Sequence, residues 1–264
     1  ASVSIPHPAV EALFTIDEET GMTGALGLKA GLLDAGILLN LDTEDDDELT
    51  IGCAGGIDVS AIGKYEREKT ASENAAYRLS VKGLTGGHSG MDIYKGRANA
   101  NKMINRVLIT ASENFNLRIS KIDGGGLRNA IPRESYADIV IPLGSVEKFI
   151  AFIKEIGATL QNEFSVTDPK LILVFEKIEM PETIVDIEFQ NKLLRTLAAC
   201  PNGIYRMSPE INGLVQTSNN IARVLVDGGG FKILCLTRGS VNSEKMDLAK
   251  TICHTFELAG AKTE

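Results

Sequence analysis

Twice along this chain a Gly-Gly-Gly triplet separates two extended stretches, and each time a helix follows. In the first instance Leu117 to Ile122 alternates apolar and polar residues, Gly124–Gly126 turns the chain, and Tyr136 to Ile141 reads as the returning strand. Ser145 to Leu160 then reads as an amphipathic helix, with Ser145 as N-cap and Phe149, Ile150, Ile153 and Ile156 on one face. In the second, Ile221 to Val226, Gly228–Gly230, Lys232 to Thr237 and Ser243 to Leu258 repeat that order. A strand and a helix precede each set: residues 77–83 and Asn99 to Ala111 before the first, Leu171 to Phe175 and Ile187 to Ala199 before the second. Gly213 to Gln216 is also extended. The order β-α-β-β-α therefore recurs, over about 75–165 and 170–264, and SVEKFIAFIKEIG against NSEKMDLAKTICHTFELAG supports an internal duplication. Each half predicts an open antiparallel sheet with two helices on one face, an α+β arrangement.

The first sixty residues have another rhythm. EALFTI (residues 11–16) and ILLNL (residues 37–41) read as short buried strands, joined through a helical stretch at Leu28, Leu32 and Leu33. That is one βαβ unit of an α/β domain, too small to cover both faces of its own sheet. The expectation is a partial α/β domain over 1–60 and the α+β domain over 61–264.

Composition narrows the function. With 264 residues, 44% of them hydrophobic, the chain can build a sizeable core. Lys plus Arg number 27 against 35 Asp plus Glu, a net charge of −8, which disfavours nucleic acid as a partner. No apolar run approaches the roughly 20 residues of a membrane span, and the N-terminus lacks a signal peptide's basic start and apolar core. Cys53, Cys200, Cys235 and Cys253 show no metal-type spacing and read as free thiols of a reducing cytosol. Only His7, His88 and His254 occur, which disfavours a zinc site built mainly from histidine and cysteine. A carboxylate-rich metal site stays open.

Three stretches could carry chemistry. FTIDEETGMTGALG sets adjacent carboxylates at a strand's C-terminal end, where open α/β sheets bind ligands, and ILLNLD repeats the placement. Glu18, Glu19 and Asp42 would make half of a carboxylate-lined metal site, or else a solvated acidic rim. Asp45 to Glu48 reads as solvated charge and fails the calcium-loop spacing. In KGLTGGHSG, His88 stands among Gly86, Gly87 and Gly90, where little competes with the imidazole for space; it serves a site or the structure. In LRNAIPRE, Asn129 precedes a turn containing Pro132, and turn formation is its simpler role. The glycine triplets lack the strand-to-helix setting of a phosphate loop, which excludes nucleotide binding there.

Taken together, FTIDEETGMTGA, ILLNLD with its acidic run and GCAGGID, KGLTGGHSG, GGGLRNAIPRE, CPNGIYRMS, ILCLTRGS and LAGAKTE resemble the aminoacylhistidine dipeptidases, cytosolic carnosine-splitting enzymes of the co-catalytic zinc exopeptidase clan. The resemblance runs along essentially the whole chain. It implies a metallo-dipeptidase acting on Xaa-His dipeptides, with two zinc ions in its full-length active site, other divalent metals being possible. It also implies that Glu18 is the general base toward a metal-bridging water, that Glu19 and Asp42 are metal ligands, and that residues 61–264 form a lid. His88 corresponds to the lid histidine that steadies the developing oxyanion, and Arg238 to the arginine that clamps the substrate carboxylate with its guanidinium fork. Asn129 and Thr217 match polar substrate-side positions of the lid.

The family's upstream HGHxD motif, its bridging aspartate and its final histidine ligand have no counterparts here, and His7 and His254 stand in other contexts. The resemblance therefore implies a central segment that binds zinc weakly and is inactive alone. The rival reading is a lid used as a non-catalytic dimerisation or partner-binding module, compatible with a homodimer. A related exopeptidase of different specificity is the third.

Overall fold

The computed structural model of the chain describes residues 5–18, 22–42 and 53–264. It divides into two units, Ala1–Ile51 and Gly52–Glu264.

The described residues of the first unit include a short helix, α1 (Thr23–Leu26), and no strand. The strands expected at 11–16 and 37–41 are not formed: Phe14 is 91% exposed and Ile37 80%. The reason is that a strand needs a neighbour for its N–H and C=O groups, and the described part of this unit offers no second strand. The expected helix through Leu28, Leu32 and Leu33 is also absent, because Gly27 ends α1 and Gly31 adopts φ 81°, which breaks helical continuation.

The second unit is built on a mixed helix and antiparallel-strand plan. Its strands are β1 (Gly55–Lys64), β2 (Arg67–Lys69), β3 (Asn74–Lys82), β4 (Gly87–His88), β5 (Arg118–Gly125), β6 (Ala130–Ile131), β7 (Ser135–Pro142), β8 (Ile172–Lys177), β9 (Thr183–Val185), β10 (Gly203–Met207), β11 (Val215–Asp227), β12 (Gly230–Gly239) and β13 (Lys262–Thr263). Four helices, α2 (Ala100–Phe115), α3 (Val146–Glu163), α4 (Ile187–Ala199) and α5 (Asn242–Glu257), fall where apolar residues recur at helical spacing. Asn99 caps α2 by accepting from the N–H groups of Asn101 and Lys102, and Asp186 caps α4 by accepting from that of Phe189. One hydrophobic core holds Leu108, Phe149, Leu193 and Ile252 from the four helices together with Leu79, Ile139 and Ile233 from the sheet.

The main sheet runs β13-β1-β12-β11-β5-β7-β3-β8, with β10 added on β11 and every pairing antiparallel. Read outward from its middle, β5-β7-β3-β8 and β11-β12-β1-β13 have the same plan. The last strand of each half follows a helix and pairs with the third. The halves are interleaved in sequence, however. The strand at Leu171 to Phe175, expected to open the second repeat, is β8 and pairs with β3 in the first half. Its expected place is taken by β1, which crosses the expected boundary at residue 60 and pairs with β12 from Gly55↔Gly239 to Lys64↔Gly230.

The halves meet where β5 pairs with β11, Arg223 opposite Gly125. A bulge at Ala222 brings its carbonyl so close that a Cβ on Gly125 would lie 1.9 Å from that oxygen. Gly125 has φ 73°, so glycine is required there twice over.

Candidate functional site

His88 stands on a two-residue strand that exists because two glycines precede it. Gly86 and Gly87 take φ 62° and 137°, and a Cβ on either would fall 2.4 Å from the Arg133 side chain or from Asp92 and Arg97. Only a backbone without side chains can thread between those groups. Gly87 and His88 then pair with Ile131 and Ala130, and the Ser89 N–H donates to the Asn129 carbonyl at 2.6 Å. The His88 N–H donates to Asp92 at 2.8 Å. Asp92 is held below the usual carboxylate value, first by the hydrogen bond from Lys95 and then by that N–H.

The imidazole is oriented by its own loop. The N–H groups of Gly90 and Met91 donate to His88 Nδ1 at 3.2 and 3.0 Å. A nitrogen that accepts cannot carry the proton, so the neutral ring bears its hydrogen on Nε2. The Nη2 of Arg238 lies 3.5 Å from that Nε2. Arginine has only donors, so two N–H groups stand side by side, a setting that favours negatively charged oxygens.

Arg238 arrives from β12, where it faces Ser218 on β11 and Gly56 on β1. Burial pulls its pKa down while the charge of Asp58 opposes the shift, and among the described residues its Nε has no hydrogen-bond partner. Gly90 makes room for both side chains: a Cβ there would stand 3.1 Å from the imidazole and 3.3 Å from the arginine.

His88 and Asn129 line one cleft of about 530 Å³, with Gly126, Pro132, Arg133 and Glu134 on its other walls. The structure thus places His88 beside Asn129 in the cleft wall and, through its Nε2, beside Arg238, which does not line that cleft itself. Thr217 lies on β11 opposite Gly239, fully buried, and its hydroxyl donates to Glu244. Gln216 and Arg206 bind the same carboxylate.

Glu18 and Asp42 belong to the first unit and are exposed, and Glu19 lies outside the described residues. Among the described residues no group of three or more His, Cys, Asp or Glu side chains could hold a metal ion.

Outside the cleft lining lies machinery that residue-type reasoning passes over. Asp168 is 1% exposed, and its carboxylate accepts from the N–H groups of Thr85 and Ala98, each at 2.9 Å. Those two residues flank the excursion from Gly86 to Arg97 that carries His88. On β11, Gln216 to Asn220 is an unbroken buried polar run. Its signal was present in the sequence: five polar residues between Val215 and Ile221, in a strand otherwise apolar enough for a sheet centre.

With this geometry in place, residues 79–168 match a peptidase dimerisation domain. Along its whole length the chain is 36% identical to the cytosol non-specific dipeptidase of Escherichia coli, of which the match covers 54%. The crystal structure of aminoacylhistidine dipeptidase from Vibrio alginolyticus superposes on 95% of this chain and 51% of that one, with a TM-score of 0.85 and 38% identity. The chain spans about half the length of these relatives. Its resemblance to the aminoacylhistidine dipeptidases thus extends from motifs to backbone.

Proposed function

We propose that this chain is the lid-bearing portion of a cytoplasmic metallo-dipeptidase that hydrolyses Xaa-His dipeptides such as carnosine. The observation that carries the reading is the approach of Arg238 Nη2 to 3.5 Å from His88 Nε2. His88 helps line a cleft whose volume of about 530 Å³ suits a small peptide. Arg238 would grip the substrate carboxylate and His88 Nε2–H would donate to the oxygen that gains charge as the amide is attacked. Asn129 would add a polar contact on the cleft wall. Thr217 would act from behind, since its hydroxyl is engaged with Glu244. Glu18 would serve as general base and Glu19 and Asp42 as metal ligands. The matching strand order of the two half-sheets supports a duplicated lid, with His88 from one half and Arg238 from the other.

Zinc would supply a polarised water and a polarised carbonyl. The described residues do not furnish its site; Glu19, which lies outside them, and Asp42 would together be two carboxylates, below the three or four protein ligands zinc uses. Zinc binding by this chain alone is therefore weak and its hydrolysis of carnosine negligible. Calorimetry on the chain tests this, and tight uptake of two zinc ions would overturn it. The activity itself is tested on the polypeptide of its relatives' length that contains this chain. Hydrolysis of Xaa-His dipeptides is expected, and its absence with all dipeptides would refute the reading.

The match of residues 79–168 to a peptidase dimerisation domain favours a second property, a homodimer formed through this unit. Sedimentation equilibrium showing only monomer at micromolar concentration would refute it. No helix among the described residues is long and apolar enough to cross a membrane.

A further inference from the structure

Arg238 stands on β12 of the main sheet and His88 on β4 of the separate β4-β6 ladder, so something must fix one against the other. We propose that Asn220, backed by Asn99, is the positioning residue that sets His88 against Arg238. The proposal rests on the dipeptidase reading for its kinetic consequence, though not for its structural one.

Asn220 lies on β11, 1% exposed, two residues from Ser218, the register partner of Arg238. Its amide nitrogen crosses to the other half and donates to the carbonyls of Arg128 at 3.3 Å and Ala130 at 2.8 Å, the two residues that flank Asn129. Ala130 is in turn the ladder partner of His88, and the Asn129 carbonyl accepts from Ser89. One side-chain amide therefore ties the strand pair carrying Arg238 to the short ladder carrying His88.

The amide cannot rotate to an alternative. Its oxygen accepts from Asn99 Nδ2 at 3.1 Å, so a flipped Asn220 would set its oxygen against two carbonyls and its NH₂ against another NH₂. Asn99 is itself fixed: its oxygen caps α2, and its nitrogen also reaches Asn202 and the Ile221 carbonyl. A buried network with these bonds made holds one geometry, and loss of a member leaves others stranded. Neighbouring Asn219 is equally buried but faces elsewhere, donating to the Pro201 carbonyl at 2.7 Å and accepting from Thr237. It supplies an internal control.

The experiment has two readouts. Ring-nitrogen NMR of this chain, which has three histidines, needs no activity. Asn220→Ala is expected to shift the His88 resonances and leave those of His7 and His254 in place, whereas Asn219→Ala moves none of them. Asn99→Ser keeps a capping side chain while removing the donor to Asn220, and is expected to shift His88 in the same direction; it decides the matter if Asn220→Ala does not fold.

In the longer polypeptide, Asn220→Ala is expected to lower kcat for an Xaa-His dipeptide about 10–100-fold with KM nearly unchanged, the usual cost of a displacement near 1 Å. In a His88→Ala background the same substitution should cost nothing further. An unmoved His88 resonance in the folded variants, or an equal kcat loss in Asn219→Ala, would overturn the proposal. If the wild type hydrolyses no dipeptide, the dipeptidase reading fails and the NMR result alone decides the positioning role.

Discussion

Replacing Asp168 with alanine tests whether the site loop is held at its base by one buried carboxylate. Asp168 Oδ1 accepts from the Thr85 N–H, while Oδ2 accepts from the Ala98 N–H and the Thr167 hydroxyl, all at 2.9 Å. The Ala98 end is buried, so its stranded N–H costs about 1–3 kcal/mol. Thr85 is exposed and its N–H recovers water, leaving roughly 1–2 kcal/mol for the lost charge-assisted bond. Asp168→Ala should therefore destabilise by about 2–5 kcal/mol, and Asp168→Asn, which keeps one acceptor, by about half of that. For a domain of this size the alanine variant should melt roughly 5–20 °C lower. Urea unfolding followed by far-ultraviolet circular dichroism measures the loss, with an unchanged m-value confirming that the same surface unfolds. Hydrogen exchange adds the local readout, since amides between Gly86 and Arg97 should exchange faster while those of α3 do not. A loss below about 1 kcal/mol, or unchanged exchange in that segment, would refute the clamp.

The two cleft donors should separate kinetically in the longer polypeptide. A carboxylate is present throughout the reaction, so Arg238→Ala should chiefly raise KM, and should cost little with a C-terminally amidated dipeptide. His88→Ala should lower kcat by roughly 10²–10³. Equal effects of Arg238→Ala on free and amidated substrates would make the arginine a structural residue. Gly125→Ala forces a Cβ onto the Ala222 carbonyl at φ 73°, and should cost at least about 2 kcal/mol of stability in a denaturant titration; wild-type stability would refute the close approach. Glu244 is held below its usual value of 4.5, first by Thr217 and then by Gln216, with Arg206 adding to the effect. Its folded-state pKa is depressed, so its stabilisation is present above about pH 4.5 and is lost as pH falls through the lower native value. Glu244→Gln should flatten that acid limb, and an unchanged slope would show that the carboxylate is not responsible.

Much of the sheet unit was legible because its elements are locally self-consistent. Ile187 to Ala199 is helical from its first expected residue to its last, and the helix expected at Ser145 to Leu160 occupies Val146–Glu163. Periodicity fails where burial and side-chain type part company. Residues 217–220 are polar and so interrupt the apparent strand, yet they lie inside the thirteen-residue β11 because Thr217, Asn219 and Asn220 find partners in Glu244, Thr237, Asn99 and the backbone of neighbouring loops. β1 is glycine-rich at both ends and alternates only over Ile57 to Ala61, and its strand character comes from partners far along the chain. In the first unit the apolar runs at 11–16 and 37–41 have the composition of strands, but a strand is a property of a pair. His88 and Asn129 stood out through the glycine and proline around them. Nothing local could announce that Arg238, 150 residues on, would meet His88.

The interleaving of the two half-sheets has a consequence for how the chain is made. β1 leaves the ribosome first, but its partner β12 follows roughly 180 residues later, about 10–35 s at ordinary rates of synthesis. Throughout that interval the first half can fold around β3, β5 and β7, while β1 waits with both edges open. Its glycines at Gly55, Gly56 and Gly63, with Asp58 and Ser60 between them, make it a poor template for pairing with a stranger. The strand of the second half that is made earliest thus has a composition that tolerates being left unpaired during translation.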